Sequence, residues 1–323
     1  MGMKAFIIRR IVVGIPLIFV ILVLNFMIMR LAPGDPVSFL VSGIESEMPP
    51  GYVLEIKAKY GFDQPLYIQL FRYMGNVLMG DLGFSFFYHK PVLEVIYLRL
   101  GNTLLLSGTA FILAVLIGVQ TGIVASKRPY SLTDNVLSVT SLITWSMPYF
   151  WLGMVFILIF SMYLGLFPVQ GMITPGLSGS EYWLDLLWHL SLPATVLALG
   201  QFALYTRFTR ASMLEVLRKD YILTAWSKGA TDQMVYYVHA FKNALLPIVT
   251  LIGLQVRHLF TGAMLVETIF AWPGMGRLVY ESIFLRDYNL VMAVFLVYAI
   301  ITIVSNIVTD IAYGFLDPRI RYK

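Results

Sequence analysis

The residue types that carry enzymatic chemistry are sparse and scattered in this sequence. It contains no cysteine, which excludes a thiolate nucleophile, a zinc ribbon and an iron–sulfur cluster. No glycine is followed by lysine, so the sequence lacks the GxxxxGK[ST] loop that binds nucleotide phosphates. The four histidines are far apart, and neither an HExxH pair nor a GxSxG elbow occurs. The sequence therefore predicts no catalytic, metal or cofactor site in this chain.

Two ionisable residues inside an apolar run are a first chemical clue. Arg257 and His258 lie in the run 244–265, with Arg257 about 20 Å from the cytoplasmic end of that run. An arginine at the centre of a membrane span costs roughly 2.5–3.5 kcal/mol, so intramembrane ions mark functional sites by default. The functional interpretation is that Arg257 lines a water-filled path and attracts a carboxylate. The alternatives are snorkelling to the outer surface and a structural ion pair.

A basic loop at 210–243 is the second clue. Its segment 220–228 suits one short helix, and Gly229 fits the left-handed residue that commonly ends a helix. Thr231 is then a credible N-cap, with Asp232 at the positive end of a second helix. The predicted apolar faces consist of Ile222, Ala225 and Trp226 in the first helix and Met234, Val235, Val238 and Phe241 in the second. This hairpin suits docking on a partner protein, and an amphipathic loop lying on the membrane is the alternative.

Membrane-spanning helices must position these residues. The chain has 323 residues, of which 59% are hydrophobic and 13% charged, whereas soluble domains carry about 25% charged residues. The first apolar run lacks a cleavage site and is interpreted as an uncleaved span, and the third contains Pro148, which predicts a kink. The runs long enough to cross the membrane are 11–29, 102–124, 132–163, 189–209, 244–265 and 289–313.

The charge distribution predicts the orientation. Six crossings place both termini on one side, where basic residues outnumber acidic ones, and acidic residues dominate the opposite side. The net charge of +5 therefore borders the lipid bilayer and excludes nucleic acid as a partner. We expect an all-α integral membrane protein with six transmembrane helices and cytoplasmic termini. Its predicted parts are 1–31 (N-terminus and first helix), 32–100 (extracytoplasmic domain) and 101–323 (five-helix core with the coupling loop 210–243).

The extracytoplasmic segment 32–100 mixes turn signals with helical patterns near 53–60 and 67–79. Two interpretations remain open for it. It either forms a small domain that faces a ligand or partner, or it packs as a cap over the helix ends.

Several stretches resemble the permease subunits of ABC importers of the dipeptide, oligopeptide and nickel class, in the B-type (first permease) subunit. The segments 220–229 (DYILTAWSKG) and 239–247 (HAFKNALLP) are similar to the "EAA loop" of these permeases. Further similar stretches are 31–36 (LAPGDP), 267–276 (ETIFAWPGMG) and 317–321 (DPRIR), in the order of the family. Together they extend over nearly the whole chain.

The resemblance implies a six-span permease in a bacterial or archaeal cell (inner) membrane. It implies pairing with a second homologous permease subunit, two cytoplasmic ATP-binding subunits and an extracytoplasmic substrate-binding protein. It implies di- or oligopeptide cargo, with nickel complexes or oligosaccharides as alternatives. It also implies that loop 221–232 couples to the ATPase. The implied coupling residues are Tyr221, Leu223, Thr224, Ala225, Trp226, Lys228, Gly229, Ala230, Thr231 and Asp232.

Two positions depart from the pattern of the family, and two other functional classes remain as alternatives. Leu223 occupies the position of an acidic consensus residue, so no salt bridge to the ATPase is expected there. Arg257 and His258 stand where relatives often have small residues, which indicates a substrate preference particular to this chain.

A stand-alone secondary transporter is disfavoured because no acid lies near the middle of any span. A membrane enzyme would need a nucleophile or metal set that the sequence lacks.

Overall fold

The computed structural model describes residues 3–31, 63–85, 87–256, 259 and 264–316. Helices dominate this part of the chain because a segment in lipid must satisfy its backbone hydrogen bonds internally. The helices are α1 (Met3–Leu31), α2 (Leu66–Leu78), α3 (Val92–Lys127), α4 (Leu132–Ser146), α5 (Tyr149–Phe156), α6 (Gly179–Leu217), α7 (Asp220–Ser227), α8 (Phe241–Val256), α9 (Met264–Ile269), α10 (Met275–Phe284) and α11 (Tyr288–Leu316). The π-helical segments Ile157–Tyr163 and Met234–Ala240 continue α5 and precede α8. The short antiparallel strands β1 (Phe84–Ser85) and β2 (Lys90–Pro91) form a hairpin.

The predicted spans reappear within long apolar helices, except that the fifth begins ten residues earlier than predicted, at Met234 within the predicted loop 210–243. Among the described residues, five helical segments are long and apolar enough to cross a membrane: Val12–Leu31, Val92–Lys127, Gly179–Leu217, Met234–Gln255 and Tyr288–Thr309. The predicted kink at Pro148 is confirmed and is sharp, since α4 and the helix that follows it meet at 103°. Counted as one crossing, this bent pair gives the predicted six spans; counted apart, it leaves five. Proline lacks the N–H that would continue α4, so the chain restarts with Pro148 at the start of α5.

The chain divides into two compact units, and the first consists of Asn102–Gly276. Helix α3 approaches α6 closely at two glycines, Gly118 and Gly122. A Cβ on Gly118 would lie 2.5 Å from Cβ of Tyr205, and one on Gly122 would lie 2.6 Å from Cβ of Thr209. Small residues four apart allow two membrane helices to approach in this way. The GxxxG pair in α3 therefore fixes the position of α6, whose most apolar window is 67% buried.

The second unit consists of Met1–Gly101 and Arg277–Lys323. The Asn25 side chain of α1 donates a hydrogen bond to the Met292 carbonyl of α11 (2.7 Å). The β hairpin is attached to the same unit, because Ser85 Oγ donates to Asp287 (2.6 Å) and Tyr88 donates to Glu281 (2.8 Å). Burial and the bond to Glu281 raise the pKa of Tyr88 to about 12, so its hydroxyl remains a donor.

Helix α2, at Leu66–Leu78, confirms the predicted helical pattern near 67–79. The pattern near 53–60 lies outside the described residues. The proposed part boundaries at 31/32 and 100/101 stay predictions.

Candidate functional site

Helix α7 and the turn after it form the predicted first half of the hairpin. Gly229 has a φ of +77°, the left-handed conformation predicted from its position. The Gly229 N–H donates to the Trp226 carbonyl (2.9 Å), and the Ala230 N–H donates to the Ala225 carbonyl (3.2 Å). These two bonds constitute a Schellman motif, which satisfies carbonyls at the end of a helix. The backbone therefore reverses at a geometrically fixed turn.

The second half of the hairpin begins at Thr231, as predicted. Its hydroxyl accepts a hydrogen bond from the Met234 N–H (3.4 Å), and its carbonyl accepts one from the Val235 N–H (2.9 Å). The segment after it differs from the expected α-helix, because Met234–Ala240 is π-helical before α8 begins at Phe241. One extra residue per turn changes which side chains face inward.

A buried apolar cluster holds the hairpin against the membrane core of Asn102–Gly276. Ile222 and Val235 are buried in it, on the two arms of the hairpin. They pack with Ile123 of α3 and Met213 of α6, close to the last turns of these helices. Burying a side chain of this size contributes about 1.5–3 kcal/mol. The hairpin is therefore attached to the spans by packing.

Lys127, the last residue of α3, adds a second attachment. Its Nζ lies over the rings of Tyr236 (5.5 Å) and Tyr237 (5.2 Å), within cation–π range. The Tyr236 hydroxyl donates to the Lys127 carbonyl (3.1 Å), and Gln120 Nε2 donates to the Tyr237 hydroxyl (2.8 Å). Trp226 packs edge-on against Tyr236 at 6.3 Å. These contacts attach the hairpin to the end of α3.

The outer face of the hairpin is apolar and exposed. Leu223 is 62% exposed and Tyr221 is also exposed, whereas the exposed Met234 and Val238 lie within the candidate span Met234–Gln255. Polar residues of the hairpin, including Lys228 and Asp232, lie at the surface beside them. Large exposed apolar groups such as Tyr221 and Leu223 are typical of an interaction site.

The structure corrects part of the predicted apolar faces. Ile222 and Ala225, predicted on a face suited to docking, are instead buried in this chain's own core, whereas Trp226 is 37% exposed. In the second arm Val235 is buried, whereas Met234 and Val238 are exposed because the π-helical turn displaces the 3.6-residue period.

The second predicted site, Arg257 and His258, lies outside the described residues. The sequence analysis missed a buried carboxylate nearby in the chain: Glu267 of α9 is 0% exposed. Thr103 Oγ1 donates to Glu267 (2.8 Å) and accepts from the Met275 N–H (2.7 Å). Gly274 lies against the same carboxylate, since a Cβ there would come within 2.4 Å of it. The sequence shows this acid as the first residue of the ETIFAWPGMG stretch. Residue spacing alone does not reveal that it is buried or what it contacts.

Two known protein families match the chain. The family described as "Binding-protein-dependent transport system inner membrane component" matches residues 95–322, and the N-terminal component of the same system matches residues 3–107. The chain belongs to this family. It is a multi-pass permease of an ABC importer and a transport component rather than an enzyme, as predicted.

Curated relatives match the permease from end to end. It is 41% identical to the oligopeptide transport system permease protein AppB of Bacillus subtilis, covering 99% of this chain and 100% of that protein. It is 40% identical to the di/tripeptide permease DppB of Pseudomonas aeruginosa, with the same coverage. Identity to the dipeptide permease DppB of Escherichia coli is 38%, again over 99% and 100% of the two chains.

A solved structure supports the fold independently. The permease superposes on a chain of the inward-facing MetNI methionine ABC transporter with a TM-score of 0.55. The sequence identity is 15%, and the match covers 70% of this chain and 98% of that chain. The similarity supports an all-α membrane fold.

Proposed function

We infer that this permease forms half of the translocation path of an ATP-driven importer for di- or oligopeptides in the inner membrane. The observation that carries the cargo assignment is end-to-end similarity at 38–41% to permeases named for oligopeptides, di/tripeptides and dipeptides. Its partners are a second homologous permease, two cytoplasmic ATPase subunits and an extracytoplasmic binding protein. Uptake of labelled di- and tripeptides by the assembled importer tests the cargo, and uptake of nickel complexes or oligosaccharides instead would refute it.

The hairpin 221–232 is the contact through which the ATPase drives this path. Its exposed apolar outer face supports a protein contact. Its attachment to α3 through Lys127 and to α6 through the buried cluster supports transmission of movement into the membrane. ATP binding closes the ATPase dimer, the hairpin moves with it as one body, and the spans open the path outward. Hydrolysis resets the path.

Site-specific cross-linking tests the hairpin contact. Because this chain has no native cysteine, an introduced cysteine is its only thiol. Leu223→Cys places a thiol on the exposed outer face, whereas the adjacent Ile222→Cys places one in the buried cluster, at 1% exposure. In the assembled importer, a short bifunctional reagent joins Leu223→Cys to the ATPase subunit and leaves Ile222→Cys unlinked. Equal cross-linking of both variants, or none at Leu223→Cys, would contradict the assignment.

A further inference from the structure

An apolar groove lies between α4 and α6 within Asn102–Gly276. Its volume of about 730 Å³ falls within the roughly 300–1,000 Å³ of small-ligand sites. Leu142 and Trp145 of α4 and Leu204 and Phe208 of α6 line its walls. Trp145 is 54% exposed and Phe208 is 46% exposed, so large apolar surfaces of the groove are open.

The groove also carries one unbalanced positive charge. Arg207 lines it and makes no hydrogen bond or ion pair within the part of the chain that the structure describes. Arg210 lines it too, but Asp134 neutralises this guanidinium through bonds of 2.6 Å from Nε and from a terminal nitrogen. The net charge of the three groups is therefore positive and belongs to Arg207.

The residues that line the groove differ in depth along their helices. Helix α6 has 39 residues, or about 58 Å of helix, so it extends beyond a hydrocarbon core of about 30 Å. Arg207 lies ten residues before Leu217, the last residue of α6, about 15 Å from that cytoplasmic end. Trp145 and Leu204 lie deeper, each 13 residues from the cytoplasmic end of its helix, or about 20 Å. Phe208 and Leu142 lie at about the same depth as Arg207, nine and ten residues from those ends, so apolar side chains extend from the level of the guanidinium to deeper positions.

We propose that this groove binds an anionic phospholipid of the cytoplasmic leaflet. Arg207 contacts the lipid phosphate, and one acyl chain lies along Leu142, Trp145, Leu204 and Phe208. Charge complementarity selects an anionic lipid over a zwitterionic one. The apolar walls favour an acyl chain over a transported peptide, because a peptide's amides would need polar partners along the groove. None of the residues that line this site belongs to the hairpin 221–232.

Native mass spectrometry of the assembled importer tests the site. The detergent-purified complex is titrated with phosphatidylglycerol and, separately, with phosphatidylcholine of the same acyl chains. One basic residue near the membrane surface is worth about fivefold in affinity, so we expect about a fivefold preference for phosphatidylglycerol. Arg207→Gln abolishes this preference, whereas Arg207→Lys retains most of it. Arg218→Gln, which removes an exposed cation just after α6 and outside the groove, leaves it unchanged.

Three further measurements distinguish a phospholipid from the other molecules that could occupy the groove. Glycerol phosphate, which lacks acyl chains, should not bind, and its Arg207-dependent binding would overturn the lipid assignment in favour of a free phosphate. A dipeptide that displaces phosphatidylglycerol from the wild type but not from Arg207→Gln would assign the groove to cargo. Absence of lipid adducts that depend on Arg207 would leave the groove to the partner permease and refute the proposal. Size-exclusion profiles matching the wild type ensure that the variants are folded.

Discussion

Arg210 of α6 binds Asp134 of α4 through two parallel hydrogen bonds of 2.6 Å, and this pair joins two helices whose residues are 76 positions apart. The Asp134 carboxylate is 2% exposed and also accepts the Tyr130 N–H (2.8 Å). A bidentate arginine–carboxylate pair fixes both distance and orientation. It therefore determines how the start of α4 is placed against α6.

Asp134→Asn should destabilise the protein, because it leaves the Arg210 guanidinium without its counter-charge in a largely buried site. Breaking a buried ion pair costs about 3 kcal/mol in the free energy of unfolding. Denaturant titration in detergent micelles measures this change. The matched control is Glu94→Gln, which breaks a pair with Lys90 that is about half exposed (52% and 48%) and should cost less than about 1 kcal/mol. Equal costs for the two variants would disprove the structural role of Asp134.

Gly229→Val should uncouple ATP hydrolysis from uptake. A β-branched residue at a φ of +77° is strained, and the strain of roughly 1–2 kcal/mol shifts a conformational equilibrium by about 5–30-fold. A steric clash would not cause this effect, since nothing lies within 4 Å of a Cβ at this position. The measurement is the ratio of peptide transported to ATP hydrolysed in proteoliposomes that contain all subunits. Gly229→Asn tolerates the left-handed conformation and should keep the ratio near wild type.

Gly118→Ala should destabilise the contact between α3 and α6. The added methyl would lie 2.6 Å from the Phe202 carbonyl oxygen and 2.5 Å from Cβ of Tyr205, so the backbones must separate. Overpacking of this kind costs about 1–3 kcal/mol in the free energy of unfolding. Gly108→Ala, in the same helix with nothing within 4 Å, should be neutral or stabilising. If the two variants have the same stability, close packing at Gly118 is not what holds the helices together.

Thr103→Val should lower stability by about 1–3 kcal/mol, because it removes a donor from a fully buried carboxylate and an acceptor from a backbone N–H. Glu267 and the Met275 N–H are the groups affected. Thr103→Ser keeps the hydroxyl and should restore most of the loss in the same unfolding measurement. A Thr103→Ser variant as unstable as Thr103→Val would mean that the methyl group matters rather than the hydrogen bonds.

Arg257→Ala should slow uptake of peptides with a free C-terminal carboxylate, by about tenfold if one charge-assisted hydrogen bond is lost. Peptides with an amidated C-terminus serve as the control and should be transported equally by variant and wild type. Initial uptake rates with the assembled importer measure both. Unchanged uptake of free peptides would show that Arg257 is structural.

The hairpin shows how much local sequence can reveal. Gly229 and Thr231 were assignable because the end of a helix and its N-cap depend on a few neighbouring residues. The spans were assignable for a similar reason, since the bilayer imposes a length of apolar sequence whatever the rest of the chain does. These local rules were enough to predict a membrane protein with a docking hairpin, whereas the permease assignment came from the resemblance of several stretches to ABC-importer permeases.

Contacts between distant residues were decided only by tertiary structure. Nothing in the sequence distinguishes Lys127 from the other basic residues. The packing of α3 nevertheless places its ammonium group over the rings of Tyr236 and Tyr237. Asp134 and Thr103 likewise find partners 76 and 164 residues away. Trp226 and Val238 became exposed because a π-helical turn and the neighbouring helices determine which face is covered. Helical periodicity specifies that a face exists, whereas only the packed helices determine what that face contacts.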